Sequence, residues 1–467
     1  MLSQFVLILP EIILISIAIV MQISAVFFKK NLQFITFLTI TSLFILVIII
    51  LYLAPLESSL VFSNSFKLSY YIYLYKALVL FLSIMSIIIY NEITKISNQP
   101  RKLEFITLIL FSTVGLFISI SARDFITLFC GLELQSLASY AMTSFNTKDV
   151  KSSEAGLKYF VLGSLISCIM LLGISLLYGF SGGMYFDIVQ STLNAKYNIG
   201  MVVGTILVLV SILFKLSAAP LHTWTPDVYE GAPLFAVTYF AAAQKIAILI
   251  VLINFITLVI GDYKNISVDL IKIAAILSIL VGSFGAIGQL SLKRLMAYST
   301  ILNVGYVLIA ISLNSNDGMY AALLYMFIYT LSTIGFFACI VALLGKRSDV
   351  ATFQDLQGVA GEKKVIAVAI TIVMCSMIGL PPLSGFFGKY YILYKLIIQG
   401  QFTLALLIVL SSAIAAFYYL KVIKYMYFME AVRKVEIIPN SQGLLLVSCI
   451  SVGFTLLFFL FFRLLLV

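Results

Sequence analysis

Stretches of some twenty apolar residues recur from one end of this sequence to the other, with little but short loops between them. A run of about 20 apolar residues is the length of helix that crosses the hydrocarbon of a bilayer. Backbone amides at that depth must be satisfied by the spanning structure itself, which leaves helices and closed barrels. Barrel strands alternate polar and apolar side chains, and these runs do not. The chain therefore reads as an all-α polytopic membrane protein. Fourteen runs qualify, near 3–28, 32–54, 70–90, 103–121, 124–145, 157–180, 199–220, 232–260, 268–290, 295–314, 318–345, 365–396, 401–429 and 442–466. The longest gaps, 181–198 and 346–364, hold only loops or a short surface helix. The first run has no basic stretch before it and no small-residue cleavage site after it, so it reads as a spanning helix and not as a removable signal.

Charge follows the same plan. Only 10% of the residues are charged and 62% are hydrophobic, against roughly a quarter charged in soluble domains. The net charge of +10 would suggest nucleic acid in a soluble protein. Here the basic residues sit in short loops, so the expected partner is the lipid bilayer, with no nucleic acid. With the first loop inside, fifteen fall on the inner side: Lys29, Lys30, Lys95, Arg101, Lys102, Lys148, Lys151, Lys293, Arg294, Lys346, Arg347, Lys363, Lys364, Arg433 and Lys434. Six fall outside: Lys67, Arg123, Lys196, Lys264, Lys272 and Arg463. That bias is the positive-inside pattern, and it puts both termini on the outer side.

The five cysteines, Cys130, Cys168, Cys339, Cys375 and Cys449, are all more than thirty residues apart and lie in apolar runs. That spacing excludes CxxC zinc sites and clustered iron–sulfur ligands. The single histidine, His222, cannot supply a bis-histidine haem. No metal and no redox cofactor is expected in this chain.

Two runs carry breaks. The seventh ends FKLSAAPLHTW, with Pro220 five residues after Lys215. The twelfth contains MIGLPPLSGFFGKYY, with Gly379, Pro381, Pro382, Gly385 and Gly388 ahead of Lys389. Proline removes a helix hydrogen bond, and irregular backbone at membrane depth needs protein or a water-filled cavity around it. Pro220 and Pro382 are 162 residues apart, and the fourth and ninth runs start about 165 apart, the pattern of a repeat-built transporter. The expected divisions are helices 1–3 over 1–102, a five-helix repeat over 103–260, an inverted second repeat over 261–430, and helix 14 over 431–467.

Buried charge marks the candidate site. A lysine at mid-membrane costs about 2.5–3.5 kcal/mol on insertion scales, and such residues commonly line ion or proton paths. Lys215, Lys245 and Lys389 lie deepest, and Glu133 is the one acid near the middle of a run. Burial disfavours the ammonium, a nearby carboxylate restores it, and lysine, unlike arginine, releases its proton. Glu133 is read as the partner of a lysine on a neighbouring helix, or else as a protonated carboxyl bonded to Ser136. Lys158 is read as a path residue or as a snorkelling loop-end lysine. His222, beside Trp224, is a proton relay or a loop cap. Asp227, Tyr229 and Glu230 are expected to order that loop, while Lys76, Lys395, Lys421 and Lys424 are expected to snorkel, and Glu11 to lie near the outer surface.

Several motifs resemble one family over essentially the whole chain. They are LPEIIL at 9–14, DFITLFCGLELQSLASYAM at 124–142, EAGLKYFVLGS at 154–164, FKLSAAPLHTWTPDVYEGAP at 214–233, QKIAIL at 244–249, LKRLMAYSTILNVGY at 292–306 and GLPPLSGFFGKYYIL at 379–393. Together they resemble subunit N of bacterial NADH–quinone oxidoreductase, respiratory complex I, more closely than the related subunits L and M. The resemblance implies fourteen helices with helices 4–8 and 9–13 as inverted repeats. It implies a proton path through Glu133, Lys158, Lys215, His222, Lys245 and Lys389. It also implies flavin and iron–sulfur clusters in partner subunits, antiporter-like neighbours and small helical subunits as partners, and a bacterial inner membrane in preference to an organellar one. One departure stands out. LFAVTYFAAAQK precedes Lys245 where the family usually shows Pro-Val and a serine, and Gln244 is expected to alter hydration there. Two rival readings stay open. One is a subunit of a multisubunit cation/proton antiporter or membrane-bound hydrogenase, and the other is a non-pumping scaffold.

Overall fold

The structure, a computed structural model, describes residues 6–27, 32–97, 102–195, 198–260, 264–431 and 441–465. Lys29, Lys30, Arg101, Lys196, Arg433 and Lys434 lie outside the described residues, as do the side chains of Lys264 and Arg463.

Among the described residues thirteen helices are long and apolar enough to cross a membrane. They are α1 (Leu9–Phe27), α2 (Leu32–Tyr52), α3 (Tyr70–Ser97), α4 (Leu103–Ser121), α5 (Phe125–Thr143), α6 (Val150–Ser181), α7 (Ile199–Leu216), α8 (Leu234–Leu258), α9 (Lys264–Ile287), α10 (Leu292–Ser312), α11 (Asn316–Leu344), α13 (Phe402–Phe428) and α14 (Gln442–Leu465). The twelfth apolar run forms two helices, α12a (Lys364–Ile378) and α12b (Ser384–Ile398), each too short to be counted alone. The fourteen runs therefore appear as thirteen whole helices and one divided one.

Local chemistry sets the ends. Asp124 caps α5 by accepting from the Thr127 amide at 2.7 Å, and Ser315 caps α11 through the Gly318 amide at 3.1 Å, satisfying amides that a helix start leaves open. Gly182 closes α6 in the left-handed conformation. A break of a different kind interrupts α8: residues Phe240–Gln244 form a π-turn.

The chain divides into two compact units. The first holds Met1–Ile87, Pro100–Leu216 and Ala243–Ser267; the second holds Ile88–Gln99, Ser217–Ala242 and Val268–Val467. In the first, α4 packs on α5, α6 on α7, and α1 on α4. Gly115 and Gly131 let α4 and α5 touch backbone to backbone, since a Cβ on Gly115 would stand 2.6 Å from the Gly131 carbonyl oxygen. Small residues at the crossing are how membrane helices approach this closely. In the second, α11 is central, packing on α10, α12a, α12b and α14.

One loop contact occurs in both units. Asp124 and Tyr185 form an antiparallel bridge in the first, Ser291 and Thr352 in the second. Each member lies 167 residues beyond its counterpart, 124 to 291 and 185 to 352.

Several polar side chains differ from expectation. Lys76 does not snorkel: it is fully buried, its Nζ 2.5 Å from Glu11 Oε1, and Glu11 is itself buried. Within the protein the ion pair gives the ammonium a partner without drawing it to the membrane surface. Lys395 pairs with Asp317 at 2.7 Å, and Lys421 lies over the Phe353 ring at 4.5 Å. Residues 59–68, read as loop, include a small hairpin pairing Ser59–Val61 with Phe66–Leu68.

Candidate functional site

In the first unit the site is built on α5. The helix turns Gly131 toward α4, while Glu133 faces Ser167 of α6. Ser167 Oγ donates to Glu133 Oε1 at 2.5 Å. Lys215, in the last turn of α7 and 6% exposed, donates to Ser136 Oγ. Its Nζ stands 3.8 Å from Glu133 Oε1, within ion-pair range but beyond hydrogen-bond length. A serine hydroxyl thus holds the ammonium beside the carboxylate without a direct bond between them. Of the two readings of Glu133, the structure has the lysine of a neighbouring helix beside it, and Ser136 accepts from that lysine.

Lys245, fully buried, donates to the backbone oxygen of Lys215 at 3.2 Å. A π-turn, a form frequent at functional positions, immediately precedes it. Gln244 donates to the Tyr159 hydroxyl at 3.1 Å. The Tyr159 ring packs edge-on against Tyr140 with centroids 4.8 Å apart. Gly163 makes room for that arrangement, because a Cβ there would overlap the Tyr140 hydroxyl. Lys158 is the ninth residue of α6, half exposed, and pairs with Glu154 at 2.9 Å.

In the second unit Lys389 sits on α12b, 7% exposed. Its Nζ donates to the carbonyls of Met377 at 3.0 Å and Ile378 at 2.9 Å, the last residues of α12a. It also lies 5.4 Å from the centre of the Tyr306 ring, an attraction for a cation. Beside Tyr306 lies a buried hydroxyl network. Tyr325 donates to Asn303, Asn303 to Ser299, and Ser299 meets Tyr329 at 3.2 Å and Tyr419 at 2.6 Å. His222 follows the α7 break and hydrogen-bonds the Pro220 carbonyl; burial nevertheless pulls its pKa below the usual imidazole value. The next segment is tied down by charge: Arg294 bridges Asp227 at 3.0 Å and Glu230 at 2.9 Å.

The structure thus brings Glu133, Lys215 and Lys245 together in the first unit, and places Lys389 and His222 in the second. Sequence reading missed Ser167, the Glu11–Lys76 pair and the tyrosine network. Only spacing could have signalled the first, since Ser167 and Gly163 are one helical turn apart on α6. Among the described residues no group of three or more His, Cys, Asp or Glu side chains is placed to hold a metal ion.

Residues 122–415 match the family model described as NADH:quinone oxidoreductase/Mrp antiporter, TM. The NADH-quinone oxidoreductase subunit N of Rickettsia bellii is 50% identical over 451 residues, 96% of this chain and 98% of that protein. The chain belongs to the NADH-quinone oxidoreductase subunit N family. Subunit N of Rickettsia felis is 55% identical over 386 residues, covering 82% of this chain and 84% of its own, and that of Rhodospirillum rubrum is 39% identical over 437 residues, covering 93% and 90%. The fold is also that of a chain in respiratory complex I from Thermus thermophilus with bound aureothin, with a TM-score of 0.81 at 24% identity over 97% of this chain and 98% of that one. A chain of the Mrp complex from Dietzia has the same fold, with a TM-score of 0.85 at 17% identity over 100% and 96%. The matched family region runs from Ala122, just before α5, into α13, so it contains Glu133, Lys158, Lys215, His222, Lys245 and Lys389.

Proposed function

We propose that this chain is the antiporter-like, proton-translocating membrane subunit of an NADH-quinone oxidoreductase. Electron transfer, with its flavin and iron–sulfur clusters, belongs to partner subunits, and this chain moves protons. The observation that carries the reading is the Lys245 ammonium on the Lys215 carbonyl, beside a Lys215–Glu133 pair held by Ser136. Two lysines meet there at a helix break, and one carboxylate is within reach to favour one charge over the other.

In this reading Glu133 holds Lys215 protonated, and loosening of the pair releases the proton toward Lys245. From there it passes to Lys389 and the outer side, with His222 serving the relay and Lys158 the entry. Moving one charge against 100 mV requires about 2.3 kcal/mol. Breaking a buried ion pair is worth about 3–5 kcal/mol, so a partial change in the Glu133–Lys215 distance is sufficient. The repeats over 103–260 and 261–430 are supported by the matching loop bridges. The fifteen-to-six distribution of loop charge favours both termini outside, and the bacterial sources of the relatives favour a bacterial inner membrane. Antiporter-like and small helical subunits of the same complex are the proposed neighbours.

The test is native purification in mild detergent through a tag on this chain. NADH-to-quinone turnover that co-purifies with flavin and iron–sulfur absorbance supports the assignment. A chain that arrives without redox partners hands the reading to cation/proton antiport. Lys245→Ala in the assembled complex then tests the path: pumping at the unaltered proton-to-electron ratio would remove it.

A further inference from the structure

Both breaks leave particular carbonyls without their helical donors, and the reason lies in the sequence. The oxygen of residue i in an α-helix accepts from the amide of i+4. For Met377 and Ile378 those positions are Pro381 and Pro382, which have no N–H. For Leu216 the position is Pro220. For Lys215 it is Ala219, whose amide instead donates to Ser278 Oγ at 2.8 Å. Each break therefore ends a half-helix on orphaned carbonyls, at the negative end of its dipole.

A lysine occupies each of these ends. Lys245 Nζ is on the Lys215 oxygen at 3.2 Å. Lys389 Nζ is on Met377 and Ile378 at 3.0 and 2.9 Å. Lys215 and Met377 are 162 residues apart, as are Pro220 and Pro382. The residue two places on from each carbonyl has positive φ: Ser217 at 69° is matched by Gly379 at 96°. Gly379 also leaves room for the lysine, because a Cβ there would stand 3.1 Å from Lys389 Cδ. The chain uses the same cap at ordinary helix ends. Lys363 donates to Ala342 and Leu343 at the end of α11, at 3.3 and 3.1 Å. Lys293 donates to Ala232 just after the short helix Trp224–Gly231, at 2.8 Å.

We propose that the two breaks are one device used twice: a lysine ammonium seated on the orphaned carbonyls holds each half-helix end in place, with Ser278 and Gly379 as the positioning residues that keep those carbonyls open to it. An ammonium has three donors, and a charge-assisted bond to a carbonyl is stronger than a neutral one. A lysine that has lost its proton keeps two N–H donors but loses the charge and its attraction to the helix end. Proton transfer through Lys245 or Lys389 therefore loosens the backbone at that lysine's own break. This inference rests on the proton-path reading above, and it adds the consequence of each transfer for the backbone.

The test is amide hydrogen exchange by mass spectrometry on the purified, assembled complex, reading peptides over residues 212–219 and 375–385. Lys389→Met is expected to speed exchange in 375–385 by about tenfold, the worth of one such hydrogen bond, and to leave 212–219 unchanged. Lys245→Met is expected to do the reverse. Lys389→Arg, which keeps a permanent charge, is expected to hold 375–385 as slow as the unaltered chain. If a methionine variant fails to assemble, Gly379→Ala decides for its break, since it keeps Lys389 but crowds it and is expected to speed 375–385 alone. Ser278→Ala decides for the other, by freeing the Ala219 amide to compete with Lys245. Exchange that ignores residues 389 and 245, or that changes at both breaks together, overturns the proposal whatever happens to pumping. Wild-type pumping by Lys389→Arg with exchange as expected would instead sink the proton-path reading and leave the cap standing.

Discussion

The first unit gives its break lysine a carboxylate, and the second does not. Lys215 lies 3.8 Å from Glu133, whereas Lys389 has no carboxylate partner among the described residues and rests on two carbonyls and a tyrosine face. At the 167-residue spacing of the loop bridges, the positions that follow Glu133, Ser136 and Lys158 hold Thr300, Asn303 and Tyr325. At those positions the second unit has a neutral hydroxyl and amide network where the first has ionisable groups. The difference teaches how one architecture serves two electrostatic regimes. A carboxylate at ion-pair distance responds steeply to small movements, because Coulomb energy at low dielectric changes quickly with distance. Backbone dipoles and aromatic faces respond far less, so the second unit offers its lysine a steadier environment.

That contrast is open to direct attack. The largest effect is expected from Lys215→Met, which leaves the partly buried Glu133 without its cation. Proton translocation by the assembled complex in sealed vesicles, followed by dye quenching, should fall by about tenfold, equivalent to about 1.4 kcal/mol, because the path loses a titratable group. Glu133→Gln keeps a bond to Ser167 but removes the charge, and a fall of several-fold is expected in the same assay. Adding Thr300→Glu to that variant should not restore activity; restoration would erase the distinction between the units. Ser136→Ala deletes the hydroxyl that positions Lys215 and should lower pumping by about two- to fivefold, in keeping with one hydrogen bond to a charged group. Tyr325→Phe in the second unit should cost about 1 kcal/mol in thermal stability while proton-to-electron stoichiometry holds. The smallest effect belongs to His222. Burial depresses its pKa from 6.5, so the neutral ring contributes stability above that value, and the contribution is lost as pH falls through the depressed one. Melting curves of the complex should show that acid limb flattened in His222→Gln, with little change at pH 8.

The fourteen runs, both breaks and the lysines beside them were legible because each is a local property: twenty apolar residues, a proline, a charge where none belongs. What was not legible depends on which residues face one another. Glu133 and Ser136 share a turn of α5, and nothing in that spacing says that the serine serves a lysine 79 residues on. Lys76 looked like an end residue free to snorkel, because its partner Glu11 is 65 residues earlier. The tyrosine network draws on α10, α11 and α13, and tyrosines in apolar runs otherwise read as ordinary membrane residues. Gln244 was noticed as a departure, but its partner Tyr159 lies on another helix.

The π-turn at Phe240–Gln244 amounts to one residue too many in an otherwise regular α-helix. Removing any one of Ala241, Ala242 or Ala243 would leave the charge, the hydropathy and almost all of the aligned sequence as they are. A π-turn takes in one residue more than an α-turn for nearly the same rotation, so the deletion would restore regular α-helix, leave Lys245 facing almost the same way, and remove the widened turn just before it. A lineage could therefore lose the widened turn while keeping both the lysine and its bearing, through a deletion that no count of retained residues would register.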